Sequence, residues 1–198
     1  MTYGSPLVRI GVFGGTFDPL HIGHLVAAVN VRHVLGLDRV IFVVANDPWQ
    51  KVDEREITPA AVRHDMVRAS LADVDGCEVS ELELARGGPS YTADTLAELQ
   101  QLHPGSELFL ILGSDAASGL PTWERHGEIP ALAHVVVVDR PGRVGERPPE
   151  DWVHTVVECP MLDVSSTDIR RRVRSGEPIR FLVPPAVETT IEGRQLYR

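Results

Sequence analysis

The chain has 198 residues, of which 43% are hydrophobic and 24% charged, and it carries a formal charge of −9 at pH 7. Such a composition folds without help, and the length suits one domain better than two. The negative balance argues against a general nucleic-acid or anionic-membrane binder, both of which need a basic surface, and no apolar run approaches the roughly 20 residues that span a bilayer.

From the amino terminus, residues 1–6 lack the basic-then-apolar pattern of a secretory signal, so a cytoplasmic protein is expected. Short β-branched apolar runs follow at residues 8–13, 39–45, 77–84, 107–112, 134–139 and 152–158, the length and composition of buried strands. Helix-like stretches separate most of them. Ile22, Leu25 and Val29 recur at helical spacing, and so do Leu96, Leu99 and Leu102. Strand alternating with helix predicts an α/β fold: a single domain over residues 1–198, with a parallel sheet covered by helices on both faces. Ligands of such sheets bind beyond the carboxyl ends of the strands, where strand order reverses. Cys77 and Cys159 stand at no metal-ligand spacing and read as ordinary half-buried thiols of a reducing compartment. The Pro- and Gly-rich stretch at 141–149 reads as one surface loop.

Directly after the first strand comes Gly14-Gly15-Thr16-Phe17-Asp18-Pro19-Leu20-His21-Ile22-Gly23-His24, within which a helix begins. The glycines allow a tight turn and a close approach of backbone N–H groups to a phosphate. A helix amino terminus adds unpaired N–H groups and a partial positive charge. His21 and His24, three residues apart on that turn, share a face and can donate to phosphate oxygens as charge builds during transfer. One histidine capping the helix and the other packed against it is the plainer alternative. Zinc would need a third ligand, and none is signalled nearby.

Near the other end, Val164-Ser165-Ser166-Thr167-Asp168-Ile169-Arg170 precedes a helix, with Ser165 or Ser166 as cap and Asp168 in the first turn. A cap alone would account for the serines. Arg170, Arg171, Arg172 and Arg174 concentrate positive charge in an acidic chain, suited either to a phosphate or to a solvated helix face.

Taken together the two motifs resemble those of bacterial nicotinate-nucleotide adenylyltransferases, within the nucleotidyltransferase superfamily that shares a His-x-Gly-His loop. The first matches Gly-Gly-Thr-Phe-Asp-Pro-x-His-x-Gly-His, and the second matches Ile-Ser-Ser-Thr-x-Ile-Arg but for Val164. The resemblance spans about residues 8–198 and implies a Rossmann-like fold, with a helical carboxyl-terminal part from about residue 165. It implies that Gly14, Gly15, Thr16, Phe17, His21 and His24 bind ATP, together with Ser165, Ser166, Thr167 and Arg170 on the triphosphate. Gly113-Ser114-Asp115 matches Gly-x-Asp, which lies beside the nucleotides in relatives, so Gly113 and Asp115 join that set. For the acceptor it implies Asn46 and Lys51, where Trp49 and Gln50 depart from the usual Pro-Pro-His-Lys, and Thr92 and Asp94 of Ser90-Tyr91-Thr92-Ala93-Asp94-Thr95-Leu96. Trp123 stands where a tryptophan stacks on the nicotinate ring, although an aromatic in an amphipathic stretch is also a core residue. Arg140-Pro141-Gly142 completes the pattern.

The catalytic roles implied fall to His21, His24, Lys51 and Arg170. The phosphate of nicotinate mononucleotide would attack the α-phosphorus of ATP, with no side-chain nucleophile or base needed. Mg²⁺ is expected to be held mainly by ATP oxygens, since no carboxylate cluster is apparent. ATP and nicotinate mononucleotide are then the partners, with a homo-oligomer left open. Pantetheine-phosphate adenylyltransferase is the nearest alternative, and Gly14-Gly15-Thr16, Ser90-Tyr91-Thr92-Ala93-Asp94 and Trp123 point away from it. A non-catalytic nucleotide sensor is the other.

Overall fold

Each central strand is a run of large apolar residues without a polar break, which a chain can bury only when both faces of the sheet are covered. The computed structural model describes residues 7–48, 56–139, 145, 147–160 and 162–198. In it the first half runs β1 (Arg9–Gly15), α1 (Ile22–Leu35), β2 (Arg39–Val44), α2 (Ala60–Leu71), β3 (Cys77–Ser80), α3 (Leu82–Arg86) and α4 (Thr92–Leu102). The second half runs β4 (Glu107–Gly113), α5 (Ser114–Ser118), α6 (Ile129–Leu132), β5 (His134–Asp139), β6 (His154–Glu158), α7 (Ser166–Arg174) and α8 (Pro185–Arg194). Among the described residues no helix is long and apolar enough to cross a membrane.

The described strands form one six-stranded sheet in the order β3-β2-β1-β4-β5-β6, every neighbouring pair parallel. Alternation of side chains sorts them into two core layers. Phe42 and Val44 of β2, Phe109 and Ile111 of β4, and Val136 of β5 face α1, α2, α7 and α8, which contribute Ala28, Met66, Ile169 and Val187. Ile10, Ile41, Leu110 and Val135 face the other layer, where Leu96 and Leu99 of α4 and Ile129 of α6 cover them. The expected α/β sheet with helices on both faces is thus present.

One local expectation fails. The third strand, expected through residue 84, ends at Ser80, whose hydroxyl accepts the Leu82 N–H at 3.2 Å and lets the chain turn into α3. Val29 and Leu102 lie on helices, as their spacing implies, and are 40% and 63% exposed. Helix α1 buries Ala27, Ala28 and Val31 instead. Its sequence is apolar almost all round, so spacing alone does not select a face. Gly36 ends α1 in the left-handed conformation, φ 58°, which costs glycine little.

The chain lays down β2 and β3 on one side of β1, then returns to place β4 on the other. The loops after β1 and β4 therefore diverge and leave a crevice between them, at the carboxyl ends of the strands.

Candidate active site

The loop that leaves β1 is shaped by Phe17. Its backbone is left-handed, φ 48°, an unfavourable region for a bulky residue, while its ring is 3% exposed. Burial offsets the backbone cost: the ring lies edge-on to Phe13 and His24, with centroids 5.8 and 5.0 Å away, and tilted on Phe42. An added Cβ at Gly15 would sit 2.8 Å from the Phe17 ring, whereas at Gly14 it would meet nothing within 4 Å. Gly15 makes room for the loop's own aromatic, and Gly14 leaves open space.

His21 occupies the N-cap position of α1, and its ring stacks on His24 with centroids 3.7 Å apart. The backbone N–H of His21 donates to His24 Nδ1 at 3.1 Å. Neutral His24 consequently carries its proton on Nε2, a donor suited to an anion. At Gly23 a Cβ would press on the His21 ring and on Val164, so glycine here seats the histidine.

The carboxyl-terminal third closes over the same loop. Ser166 Oγ donates to Pro19 O at 2.8 Å, and Arg170 Nη1 donates to Asp18 O at 2.8 Å. Arg170 is 9% exposed and also reaches Thr167 Oγ1, at 3.1 Å. Ser165 is the N-cap of α7, its hydroxyl accepting the Asp168 N–H. Arg171 and Arg172 are paired with Asp168 and Glu177, which accounts for much of the basic cluster as a solvated helix face. Those arginines hold Asp168 below the usual carboxylate range, first through Arg172.

Two cavities open along the crevice. The larger, about 450 Å³, is walled by Gly14, Gly15, Thr16, Val43, Ala45, Leu110 and Leu112, with Ser90, Tyr91, Thr92 and Trp123 along its rim. The smaller, about 300 Å³, is lined by His21, His24, Phe17, Gly113, Ser114, Asp115 and Cys159. Gly14, Gly15 and Asp115 belong to both. Volumes of this size suit small ligands, and one wall is common to the two.

The structure separates the expected acceptor residues. Thr92 and Trp123 line the larger cavity, and half-buried Trp123 also packs on the core beneath. Asn46 and Asp94 line neither cavity among the described residues. Asn46 Nδ2 donates instead to Gly88 O at 3.0 Å, part of a zipper in which Ser90 N donates to Asp47 O. Asp94 is paired with Arg125, two residues beyond Trp123, and so braces the turn that carries the indole. Helix α4 is capped at Tyr91, with Thr92 its first residue. Lys51, Trp49, Gln50, Arg140, Pro141 and Gly142 lie outside the described residues.

Sequence reading missed Arg63. This arginine of α2 is 1% exposed and donates to three carbonyls: Thr16 at 2.7 Å, Thr58 at 2.6 Å and Asn46 at 3.3 Å. It thereby ties the loop after β1 to the loop after β2. A guanidinium beside Met66 and Val67 on a buried helix face was the available signal, because such a group needs several acceptors.

A family model described as cytidylyltransferase-like matches residues 12–172. Curated relatives named "Probable nicotinate-nucleotide adenylyltransferase" include one from Thermus thermophilus, 47% identical and covering 96% of this chain and 100% of its own. Another, from Saccharopolyspora erythraea, is 46% identical and covers 96% and 90%. Among solved structures, a Plasmodium falciparum nicotinic acid mononucleotide adenylyltransferase complexed with NaAD superposes with a TM-score of 0.79 at 18% identity, over 96% of this chain and 97% of that one. At that identity the likeness concerns the fold.

Proposed function

We infer the reaction from kinship and geometry together: the chain belongs to the cytidylyltransferase-like family and, within it, to the nicotinate-nucleotide adenylyltransferases. It transfers the adenylyl group of ATP to nicotinate mononucleotide, giving nicotinate adenine dinucleotide and pyrophosphate, a step of NAD biosynthesis. The observation that carries this reading is the wall common to both cavities, Gly14, Gly15 and Asp115, over which two ligands would meet.

The larger cavity has Val43, Ala45, Leu110 and Leu112 among its lining together with the half-buried Trp123, an apolar and aromatic surface suited to a pyridine ring. Ser90, Tyr91 and Thr92 bring the amino terminus of α4 to its rim, and N–H groups there favour a ring bearing a carboxylate over one bearing an amide. ATP is assigned to the smaller cavity, with its phosphates near His21, His24 and the start of α7. An oxygen of the acceptor phosphate bonds to the α-phosphorus while the bond to the β-phosphate oxygen breaks, and pyrophosphate leaves with the electron pair. The acceptor is already ionised at neutral pH, so the residues position the reactants and stabilise charge. His24 Nε2–H donates to phosphate oxygens. Arg170 and Ser166 hold the loop through Asp18 and Pro19.

Magnesium accompanies this chemistry as a charge-neutralising ion on the polyphosphate. Among the described residues no three His, Cys, Asp or Glu side chains are grouped to hold a metal. The test is pyrophosphate release by the purified protein with MgATP and, separately, nicotinate mononucleotide, nicotinamide mononucleotide and 4′-phosphopantetheine. Release is expected with the first above all. Preference for the pantetheine acceptor, or ATP binding without release from any, would overturn the reading.

A further inference from the structure

The last residues of the chain turn back toward the active-site loop. After α8, Gln195 and Tyr197 both take left-handed conformations, φ 53° and 64°, and this doubling back brings the phenol to the loop after β1. Tyr197 donates to Asp18 Oδ1 at 2.6 Å, across 179 positions of sequence. Asp18 is 1% exposed, and its carbonyl already receives Arg170 while the next carbonyl, of Pro19, receives Ser166. The phenol also engages Thr58, whose carbonyl receives buried Arg63, the group that holds Thr16. Residues 16, 18 and 19 are thus each held from outside the loop, and two residues further on stands His21. Burial, and next the Asp18 carboxylate, keep the phenol protonated well past the usual tyrosine range, so it stays a donor throughout any working pH.

We propose that Tyr197 is a positioning residue for adenylyl transfer, its phenol holding Asp18 and through it the loop that presents His21 and His24. It touches no substrate. Loss of the hydroxyl leaves the cavities open for binding and loosens the loop during transfer, so turnover falls while substrate binding is kept. The activity side of this inference rests on the adenylyltransferase reading; the loop's order can be measured without it.

The experiment compares the full chain with Tyr197→Phe, Asp18→Ala and the double variant, each assayed at least about 20 °C below its own melting temperature. Tyr197→Phe should lower kcat about tenfold with both KM values within about twofold, and should change kcat less than about twofold when added to Asp18→Ala, because the carboxylate that the phenol holds is then already gone. Hydrogen exchange on Tyr197→Phe should speed up at residues 16–20 and stay at parental rates in α8, a readout independent of turnover and of how well Asp18→Ala folds. A kcat within twofold of the parent, additive losses in the double variant, or exchange rising equally through α8 would overturn the proposal. Absence of turnover in the parent itself would instead count against the adenylyltransferase reading, with the exchange measurement still deciding whether the phenol orders the loop.

Discussion

In the first loop a single hydrogen bond settles which ring nitrogen of His24 carries the proton: Nδ1 accepts from the His21 N–H, so Nε2 is the donor. Bonds from such a donor strengthen as charge moves onto the leaving pyrophosphate, more than they aid ground-state binding. His24→Ala should therefore lower kcat by roughly 10²–10³ and raise either KM much less, the scale of losing one preorganised donor. Steady-state kinetics with both substrates varied is the check, and a kcat within threefold of the parent would remove a transition-state role. The neighbouring glycines answer to different constraints. Gly14→Ala adds a methyl where no protein atom lies within 4 Å, so the variant should melt like the parent while kcat/KM drops by about tenfold or more, the equivalent of one contact blocked. Gly15→Ala drives a methyl into the Phe17 ring and should cost about 1–3 kcal/mol of stability. Thermal melts beside kinetics separate the two, and a Gly14→Ala enzyme of full activity would mean that no ligand passes over that position.

Helices α2 and α7 deliver groups to the loop from outside it. In α7 the Ser165 cap holds the Asp168 N–H, and its first turn carries Ser166 and Thr167. Ser165→Ala should cost about 1 kcal/mol, read as a lower urea midpoint at unchanged m value. In α2, Arg63→Met keeps a similar stem but strands three part-buried carbonyls, and an acceptor left unmade costs about 1–3 kcal/mol where water cannot replace the donor. A loss of roughly 3 kcal/mol or more is expected, with Arg63→Lys recovering part of it because one ammonium reaches fewer of those acceptors. If Arg63→Met unfolded at the parental urea concentration, the brace would carry no energetic weight. An element boundary was legible where a local signal marked it, as at Ser165 before α7. Beyond Ser80 the run to Leu84 reads as strand by composition, yet a serine turn redirects it into α3.

Stability of the whole molecule should depend on pH at the alkaline end. Burial pushes the Cys159 thiol from 9.0 up to about 11, and burial raises Cys77 as well. In the unfolded chain the thiols ionise first, so their contribution is complete below pH 9 and is lost as pH rises toward the folded value. For Cys159 the part lost by pH 10 is about 1 kcal/mol. Tyr197, raised by burial and then by Asp18, acts in the same direction above about pH 10. Urea unfolding at pH 8 and pH 10 should show a decline that Cys159→Ala reduces; an equal decline in parent and variant would mean that the thiol is not desolvated. The two core layers on which this stability rests follow from strand alternation, with Phe42 and Val44 on one face and Ile41 and Val43 on the other.

By itself the sequence determined that strand and helix alternate, that a glycine- and histidine-bearing loop follows the first strand, and that a second loop-to-helix junction begins near Ser165. These are local matters: glycines, histidines three apart and a capping serine act within a turn or two of one another. Only the tertiary structure decided that Ser166 and Arg170 reach Pro19 and Asp18, 147 and 152 positions away, and that Tyr197 reaches Asp18. It likewise turned Asn46 and Asp94 from the cavities to Gly88 and Arg125, and gave Arg63 its three carbonyls. A polar side chain's partner depends on which loops the sheet order brings together. Here β4 returns beside β1 and the last two helices pack on the same face as α1 and α2, an outcome of packing the whole core that no window of neighbouring residues contains.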